Sequence, residues 1–544
     1  MRFKNTQGPL KVFAVAGTQT VLFSLEIAKT KVQGYNLIGF SFERKDKNGA
    51  VKKLNGSKRF LSLKGTAKEK LSLVQTFFWK DYTADPGQTY RYTIQAMLGN
   101  AAAFIPGYSV SITINTEPLQ DGTHAVFFNY GVTGSQAYIN RFGDTHVDEL
   151  SPTKKKQALL MLGRELWQDG LTAFVQQATD NSFQLAGMFY ELQYNDFLME
   201  LKKAKQNGAA VEIRYSAKPG QKEKNETAIE AAGIQDICKI RTQVSQPHNK
   251  FMILCKNGQP IEVWTGSTNI TLQGIFGQSN TGHWIKDAAI AQKYFQYWQT
   301  IKENPSVEKS AVVSEAINAD TNLMALKKGT HVFFSPRSAE TLLTHYANLV
   351  DSAQKMACMI LPFNIDELFR KVYAKDKDYL RYILFEKTAE AKSVVSNDRD
   401  LMITAGAILK SPVENWVKEI SAGTSTGAGI YYVHNKFFLI DTLEAVPVVV
   451  SGSANFSKSS ITKNDENTLV IKGDRRVADI YLTEFSRMFE HFWPRYLYNL
   501  PPTAAGFNKP LDESYTWHLD YYNTEKMGYK RKKVFNAMKE AKEV

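Results

Sequence analysis

The sequence contains two copies of one short cassette, and this repetition constrains the fold more than any other feature. Pro-His-Asn-Lys-Phe occupies 247–251, and Val-His-Asn-Lys-Phe occupies 433–437. Eighteen residues after each histidine, from 248 to 266 and from 434 to 452, a Gly-Ser-x-Asn tetrad follows. Equal internal spacing predicts one site that is assembled from two related halves. Each half supplies a histidine, a lysine, a serine and an asparagine, which is a set suited to handling phosphate.

Strand alternation explains how one cassette could act on phosphorus. A histidine and a lysine two residues apart on a strand point to the same side, as at His248 and Lys250 or at His434 and Lys436. The lysine can neutralise a phosphate oxygen while the histidine reaches phosphorus. The Gly-Ser-x-Asn tetrad fits a neighbouring strand, where glycine permits close approach and Ser and Asn offer hydrogen bonds to phosphate oxygens or to the histidine.

Composition places few limits on the class of partner. The chain has 544 residues, and its 67 Lys and Arg against 54 Asp and Glu give a formal net charge of +13. This excess fits either ordinary surface charge or attraction to a polyanion, which would be nucleic acid or an anionic membrane face. Three separated cysteines, a polar N-terminus and the lack of any run approaching about 18 apolar residues predict a cytoplasmic protein without a transmembrane segment.

Residues 1–118 alternate short β-rich runs with turn signals, which predicts an all-β sandwich. The expected strands are 11–15, 19–25, 37–43, 71–78, 90–97 and 109–114. The stretch 81–92, in which Pro86-Gly87 precedes Tyr90-Arg91-Tyr92, resembles the corner before a late strand of fibronectin type III domains. That resemblance implies an immunoglobulin- or fibronectin-like sandwich. A plain β-turn with a core tyrosine would fit the same fold.

From residue 119 the pattern predicts mixed α/β structure that occurs twice. A strand, a helix and a strand at 182–190, 196–206 and 211–215 precede the first cassette. The same order at 357–362, 365–374 and 379–385 precedes the second. We therefore predict two α/β lobes at 119–325 and 326–500, related by internal duplication. An aromatic and basic tail at 501–544 is expected to pack on the lobes.

These cassettes resemble the signature of the phospholipase D superfamily, in which His-x-Lys-x4-Asp is followed by Gly-(Ser or Gly)-x-Asn. The second cassette matches throughout, including Asp441 and the later Glu466. The first departs at Cys255, where the family has aspartate, and at Asn280, which holds the spacing of Glu466. The resemblance covers about residues 150–500. It implies two phospholipase D-like lobes that form a pseudo-twofold unit, and a phosphodiesterase that needs no metal or cofactor.

The candidate site residues follow from the cassettes and the resemblance. The predicted catalytic set is His248, Lys250, Asn269, His434, Lys436, Asn455 and Glu466, and the predicted substrate-binding set is Ser267, Ser453 and Asn280. Alternation places Asp441 on the strand face opposite His434, so we expect it to anchor the strand.

The difference between Glu466 and Asn280 suggests a division of roles. A carboxylate near an imidazole favours the imidazolium, whereas an amide leaves it nearer neutral. We therefore assign His248 as the neutral nucleophile and His434 as the general acid, with Glu466 orienting His434. The superfamily resemblance also implies a nucleophile in the first half. His248 would then form a phosphohistidine, and His434 would protonate the leaving oxygen and later activate water or another alcohol.

Three further residues each allow a structural and a functional interpretation. We expect His283 and Arg337 to be structural, although either could lie near the phosphate. Glu191 ends a predicted buried strand and could face the cleft or pair with a lysine.

Three functions are compatible with the sequence. The first is a metal-independent nuclease that cleaves nucleic-acid phosphodiesters, which the positive charge favours. The second is a phospholipase or lipid transphosphatidylase, with the aromatic segment 515–529 as a candidate interface. The third is a non-catalytic scaffold with a degenerate first half. The β-sandwich is a candidate for binding a protein partner or for self-association.

Overall fold

The structure is a computed structural model. It describes the chain except for residues 35, 57, 67–71, 132, 134, 144, 146, 320, 407–432 and 499–509. The first described unit is a sandwich of two antiparallel sheets that packs its core between them. One sheet has the strand order β25-β1-β2-β3-β6 and the other β5-β4-β7-β8. The elements are β1 (Arg2–Gln7), β2 (Leu10–Ala16), β3 (Val21–Glu26), α1 (Lys29–Gly34), β4 (Leu37–Asp46), β5 (Val51–Lys53), β6 (Phe78–Asp81), β7 (Thr89–Gly99), β8 (Phe104–Asn115) and β25 (Lys542–Glu543).

The expected core tyrosine is present at the corner before β7. Tyr92 is fully buried, and its hydroxyl donates to Asp81 at 3.0 Å. Tyr90 is also buried, and its hydroxyl accepts from the Asp85 amide at 2.9 Å. The predicted strand 71–78 is wrong over most of its length: residue 71 lies outside the described residues, and β6 begins at Phe78. Within the range predicted as a strand, a single antiparallel bridge joins Val74 to Phe40.

Lobe 1 is built on an eight-stranded mixed sheet in the order β13-β12-β11-β15-β16-β17-β10-β9. Parallel pairing of β11 with β12 and of β12 with β13 requires crossover helices, which α5 and α6 supply. The elements are β9 (Gln120–Asp121), β10 (His124–Phe128), α2 (Ser135–Phe142), α3 (Pro152–Arg164), a π-helix (Glu165–Thr172), α4 (Ala173–Val175), β11 (Phe183–Phe189), α5 (Asn195–Gln206), β12 (Ala210–Ser216), α6 (Lys222–Ala232), β13 (Cys238–Arg241), β14 (Gln246–Pro247), β15 (Lys250–Lys256), β16 (Gln259–Gly266), β17 (Thr281–Ile285), α7 (Ala288–Ile301) and α8 (Val307–Ile317).

Lobe 2 repeats this plan on a second sheet, with the order β14-β24-β23-β22-β19-β20-β21 and β18 paired to β24. The elements are β18 (Gly329–Ser335), α9 (Thr341–Asp351), β19 (Met356–Leu361), α10 (Glu367–Ala374), β20 (Leu380–Phe385), α11 (Thr388–Ser393), β21 (Leu401–Ala405), β22 (Phe437–Ile440), β23 (Val448–Gly452), α12 (Lys458–Thr462), β24 (Asn464–Lys472) and α13 (Arg475–Tyr498). The combination of a β-sandwich with two related α/β lobes is the fold class that the sequence predicts.

The lobes exchange short segments along their seam. Strand β14 of lobe 1 pairs in parallel with β24 of lobe 2, with Gln246 opposite Asn464 and Pro247 opposite Asp465. In the reciprocal contact, Val433 of lobe 2 bridges Ser279 of lobe 1 in parallel. Each exchanged segment lies directly before a cassette histidine, so the seam fixes where both imidazoles lie.

The described part of the tail contacts both the sandwich and lobe 2. Trp517 stacks on Phe77 with 5.5 Å between ring centroids. Helix α14 (Met527–Asn536) follows, and Arg531 in it pairs with Glu490 of α13 at 2.7 Å. Strand β25 then pairs in parallel with β1. Within the described residues, no helix combines the length and the hydropathy that crossing a bilayer requires.

Candidate active site

The two histidine–lysine pairs meet in the seam between the lobes. Lys250 is the first residue of β15, but His248 precedes β15, and His434 and Lys436 precede β22, so the prediction that each pair lies on a strand is wrong for these three residues. His248 and His434 are each 4% exposed, and Lys250 and Lys436 are each 1% exposed. Each lysine donates from Nζ to the carbonyl of its own histidine, at 2.6 Å for Lys250 and 2.8 Å for Lys436. The two halves thus adopt the same local geometry, which brings two imidazoles and two ammonium groups together.

The carboxylate that accompanies His248 comes from the other half of the chain. His248 Nδ1 lies 2.9 Å from both carboxylate oxygens of Glu466. The expected contact between Glu466 and His434 is therefore wrong. His434 instead has its Nδ1 at 2.9 Å from Oδ1 of Asn280, which belongs to lobe 1. The partners of the two imidazoles are exchanged relative to the sequence prediction.

The seam register explains this exchange. Because Pro247 lies opposite Asp465, the next residue His248 comes beside Glu466, and its amide donates to the Asp465 carbonyl at 3.0 Å. In the same way the bridge between Val433 and Ser279 brings His434 beside Asn280. Asn280 and Glu466 each lie 32 residues after the histidine of their own half, from 248 to 280 and from 434 to 466. Spacing alone cannot reveal that the halves trade them.

The predicted substrate-binding residues already have protein partners. Ser453 donates from Oγ to Glu466 at 2.6 Å, and Ser267 donates to Asn280 Oδ1 at 2.8 Å. The Asn280 amide group also donates to the Gly274 carbonyl at 2.8 Å. These contacts place Ser267 and Ser453 behind the groups that accept from the imidazoles, and Asn280 against His434, while binding of substrate by the three residues stays a prediction.

The glycines of the tetrads permit the close strand approach that the sequence predicts. A Cβ on Gly266 would lie 2.1 Å from the Thr281 carbonyl oxygen, and one on Gly452 would lie 2.2 Å from that of Asn467. The two tetrad asparagines follow at the edge of the site. Asn269 is hydrogen-bonded to the Glu191 carboxylate, and Asn269 Oδ1 and Asn455 Oδ1 are buried without a partner among the described residues.

The electrostatics of the site favour an anion. Burial, followed by the charge of Lys250, lowers the pKa of the Lys436 ammonium well below its usual value. Burial also lowers the pKa of Lys250 to about 7, although Glu466 and Glu191 oppose this shift. Burial first, and then the lysines, lower the pKa of both His248 and His434 well below the ordinary imidazole value. A bound phosphate would supply the negative charge that favours the protonated form of all four groups.

Burial shifts the pKa of Glu466 in the opposite direction, upward. Desolvation raises the pKa of its carboxyl to about 8, and Lys250 and Ser453 partly offset that rise. Glu191 is the second carboxylate of the cluster. The sequence allows two interpretations of this residue. Burial raises its pKa, while Lys250 is the largest influence that lowers it. Glu191 therefore lies within electrostatic reach of the site lysines.

An aromatic ring flanks each histidine, and sequence reasoning missed both. The Tyr190 ring lies edge-on to His248 with centroids 4.9 Å apart, and Lys250 Nζ is 5.1 Å from its centroid. The Phe363 ring lies 6.2 Å from His434 and 5.7 Å from Lys436 Nζ. Each ring follows the carboxyl end of a buried strand, β11 or β19, and this shared position is the signal that could have identified them.

Asp441 has the anchoring role that strand alternation predicts. Its carboxylate lies in the turn after β22 and accepts hydrogen bonds from the amides of Gln354, Lys355 and Met356. Cys255 occupies the corresponding place in lobe 1 and is fully buried in β15. The loss of aspartate in the first cassette thus affects strand anchoring and not the phosphate cluster.

His283 and Arg337 are structural, as expected. His283 is buried in β17, where its ring contacts His124 at 2.8 Å and the Tyr481 hydroxyl at 3.2 Å. Arg337 is buried and donates to the backbone carbonyls of Phe334 and Asn318. Across the described ranges, no group of three or more His, Cys, Asp or Glu side chains is arranged to hold a metal ion.

Both cassettes lie inside a recognised family domain. Residues 171–302 and 373–492 match the family model described as "Cardiolipin synthase, PLD-like domain". Among curated proteins, mitochondrial cardiolipin hydrolase of Canis lupus familiaris is 32% identical over 79 residues, which is 14% of this chain and 29% of that protein. The same protein of Homo sapiens is 35% identical over 74 residues, covering 14% and 27%. The chain thus spans under a third of the length of these relatives.

Two bacterial proteins are among the solved structures to which this chain is similar. Phosphatidylserine synthase of Haemophilus influenzae has 12% identity and a TM-score of 0.38, and the match covers 61% of this chain and 88% of that one. The phospholipase D family member Nuc of Salmonella typhimurium has 20% identity and a TM-score of 0.21, covering 30% and 97%.

Proposed function

The two matched segments of this chain belong to the phospholipase D superfamily, and we propose on that premise that the protein cleaves phosphodiesters by double displacement through a phosphohistidine. The observation that carries the proposal is the meeting of His248 and His434 with Lys250 and Lys436 across the seam. Each imidazole has its Nδ1 occupied by a protein partner, so Nε2 is the nitrogen available to substrate.

We assign His248 as the nucleophile. Attack on phosphorus through Nε2 places positive charge on the imidazole, and a carboxylate against Nδ1 stabilises that charge, as aspartate does for histidine in serine hydrolases. Glu466 occupies that position at 2.9 Å. The sequence-based reason for the same assignment fails, because it placed the carboxylate on the other histidine.

His434 then serves as the general acid. Asn280 accepts from Nδ1 without contributing a negative charge, so the His434 imidazolium gives up its Nε2 proton more readily than a carboxylate-paired one would. The bound phosphate anion favours protonation of His434 before the reaction. As the bond from phosphorus to the leaving oxygen breaks, its electron pair goes to that oxygen, which takes the proton from His434.

The second displacement restores both histidines. Neutral His434 removes a proton from water or another alcohol, whose oxygen attacks phosphorus. The bond from phosphorus to nitrogen breaks, and its electron pair returns to Nε2 of His248. Lys250 and Lys436 stabilise the negative charge on the equatorial oxygens during both steps, together with Asn269 and Asn455. Since two ammonium groups supply this charge, we expect activity in the presence of EDTA.

Nucleic acid is the substrate class that we favour. Beyond the two site lysines, Lys218 is near enough to lower the pKa of His248, and Lys224 is near enough to lower that of Glu191. Lys218 precedes helix α6 of lobe 1, and Lys224 lies in the first turn of that helix. Positive charge beside the scissile phosphate suits a substrate that carries further phosphates, and the net charge of +13 acts in the same direction.

A phospholipid is the second candidate substrate. The matching family model and both curated relatives named above carry cardiolipin in their descriptions. The same histidine chemistry would release or transfer a lipid headgroup. The non-catalytic alternative is weaker, because every cassette histidine and lysine has an intact counterpart in the other half and all four are brought together.

A substrate panel tests the proposal. The purified protein is incubated with labelled single- and double-stranded DNA, with RNA and with cardiolipin or phosphatidylcholine vesicles, each with and without EDTA. His248→Ala and His434→Ala serve as inactive comparisons, and His331→Ala, a half-buried histidine outside the site, as the matched control. Cleavage of nucleic acid that survives EDTA and is lost only in the two site variants supports the nuclease. Turnover of lipid alone would support the phospholipid substrate instead of nucleic acid. The absence of turnover on every substrate would contradict the proposal that the protein is an enzyme.

A further inference from the structure

A second cavity lies away from the phosphate cluster, where the sandwich, lobe 2 and the tail meet. Its volume is about 200 Å³. Its walls are mainly apolar and come from four directions: β6, the sheet of lobe 2, α13 and α14. The walls include Phe78, Cys358, Tyr382, Phe485, Phe489 and Phe535. We call this space the junction cavity.

The junction cavity is separate from the proposed active site. In lobe 2 it is lined by Met356 and Cys358, which lie in the first half of β19. The active site lies beyond the other end of that strand, where Phe363 contacts His434. A ligand in the cavity would therefore contact neither site histidine.

Positive charge is in excess at the junction cavity. Lys80 of β6 and Arg531 of α14 both form ion pairs with the single carboxylate of Glu490, and the Arg531 pair measures 2.7 Å. All three side chains line the cavity. Burial, with the charge of Arg531 second, lowers the pKa of Lys80 to about 7. A second anionic group would offset this like-charge repulsion.

The cavity also has unpartnered hydrogen-bond donors. Trp79 Nε1, Tyr382 Oη and Arg531 Nε are buried, and none of them has a hydrogen-bond partner among the described residues. Each of these side chains lines the cavity. A buried donor without a partner destabilises the folded protein, so buried polar groups in proteins almost always have partners. Three such groups around one apolar space, beside an unbalanced cation, indicate a ligand with acceptor oxygens.

We propose that the junction cavity binds an apolar molecule that carries one anionic oxygen group, of which a medium-chain alkyl carboxylate is the simplest form. The alkyl chain lies against Phe485, Phe489 and Cys358. The carboxylate accepts from Arg531 and lies beside Lys80. This site is independent of the proposed phosphodiesterase, since it uses none of its residues.

Isothermal titration calorimetry of the full-length protein with three ligands of equal chain length tests the proposal. Octanoate, 1-octanol and octylammonium share the alkyl chain and differ in the charge of the head group. We expect one octanoate to bind per chain, 1-octanol to bind at least about tenfold more weakly because a charge-assisted hydrogen bond contributes about 1.5–3 kcal/mol, and octylammonium not to bind. Absence of octanoate binding at millimolar concentration, or equal affinity for octanoate and 1-octanol, overturns the proposal.

Variants locate the octanoate if it binds. Arg531→Met replaces the guanidinium with an unbranched apolar side chain and so removes the cation. We expect at least about a tenfold loss of affinity for octanoate. Arg399→Met is the matched control, because the Arg399 side chain is 74% exposed outside the cavity. Cys358→Met narrows the cavity from its sheet wall and should weaken binding even if Arg531→Met fails to fold. Unchanged affinity in Cys358→Met, or in folded Arg531→Met, overturns the proposal.

Discussion

At the residue scale, the two site imidazoles differ in the group that accepts their Nδ1 hydrogen. His248 has a carboxylate and His434 has an amide, each provided by the opposite lobe. A serine hydroxyl then fixes each accepting group from behind, Ser453 for Glu466 and Ser267 for Asn280. Two otherwise matched half-sites thereby differ by one ionisable carboxyl group, which burial holds at a pKa of about 8. This difference is the basis on which we propose different chemical roles for the two histidines.

Removal of that carboxyl group tests its role. Glu466→Gln keeps the shape of the side chain but cannot stabilise a positive imidazole, so we expect kcat to fall by about 10²- to 10⁴-fold, by analogy with removal of the aspartate charge in serine proteases. The measurement uses bis(p-nitrophenyl) phosphate, whose cleavage needs no knowledge of the natural substrate. The control is Glu367→Gln, an exposed carboxylate in the first turn of α10. A kcat within twofold of the parent protein would contradict the role of Glu466.

The lysine ammonium groups give a prediction about pH. The pKa of Lys250 is lowered to about 7, so this side chain is charged below that pH and loses its proton as the pH rises through it. We therefore expect the affinity for tungstate, a phosphate mimic, to weaken between about pH 6 and pH 8.5. Lys250→Arg retains its charge over this range and should flatten the decline. Lys371→Arg, at an exposed position, is the control, and an affinity that rises with pH would contradict the account.

At the element scale, the seam between the lobes decides the geometry of the site. The strand–helix–strand order of each lobe could be predicted, because buried strands and amphipathic helices leave local patterns in the sequence. The helix predicted at 196–206 is observed at Asn195–Gln206, and the strand predicted at 357–362 is observed at Met356–Leu361. The pairing of β14 with β24 could not be predicted, since two-residue segments leave no periodic signal.

The same limit explains which site residues the sequence revealed. His248, Lys250, His434 and Lys436 are predicted from the repeat alone, because the function proposed for them depends on spacing within a cassette. The partner of each histidine depends on contacts between residues more than 150 positions apart, as the separations of 218 and 154 residues show. Local patterns contain no information on such contacts.

The buried pair between Arg241 and Asp465 links this seam to the chemistry. Arg241 donates to the Asp465 carboxylate at 2.8 Å, and the Asp465 carbonyl accepts from the His248 amide. Arg241→Met leaves a buried carboxylate unpaired, so we expect it to lower the free energy of unfolding by about 3–5 kcal/mol. It should also displace His248, and a displacement of about 1 Å can reduce kcat by about 10²-fold.

A second buried pair provides the control for this prediction. Arg381 and Asp398 form a fully buried ion pair in lobe 2 that contacts no site residue. Arg381→Met should therefore cost similar stability and leave the kcat of the folded protein unchanged. Unfolding is followed with urea, and kcat is measured below the transition. Equal kcat values for Arg241→Met and Arg381→Met would contradict the link between the seam and His248.

At the scale of the whole molecule, the sandwich is integrated with the lobes. Its core cluster includes Trp517, Tyr521 and Tyr522 of the tail at its edge. Its strand β6 also contributes Phe78 to the large cluster shared by the two lobes. Movement of the sandwich would expose these apolar contacts to water. We therefore expect the sandwich and lobe 2 to unfold together, and the role of the sandwich in binding a partner or in self-association stays a prediction.

The net positive charge is also a property of the whole molecule, and it leads to a prediction about the salt dependence of nucleic-acid binding. Double replacement of Lys218 and Lys224 with alanine should weaken binding of a fluorescein-labelled single-stranded oligonucleotide to the His248→Ala protein. The slope of log affinity against log salt should fall by about 0.7 for each phosphate contact that is lost. Fluorescence anisotropy between 50 and 300 mM salt would measure both effects.

Lys309 and Lys371 offer a matched double control, since both are exposed on helices α8 and α10. Their replacement removes the same formal charge from the chain at other positions. If both double variants change the salt slope equally, the positive charge of the whole chain attracts the polyanion and the lysines beside the site have no special part.

The covalent intermediate tests the central claim most directly. His434→Asn lacks the base that releases the second product, so a substrate with an activated leaving group should phosphorylate this variant and leave it trapped. Bis(p-nitrophenyl) phosphate is such a substrate, and mass spectrometry of peptides prepared at neutral to basic pH would locate the added group. We predict a p-nitrophenylphosphoryl adduct on His248 in His434→Asn, because only one of the two p-nitrophenolate groups leaves, and no adduct in the double variant with His248→Asn. An adduct on any other residue, or none after the burst of p-nitrophenol, would contradict it.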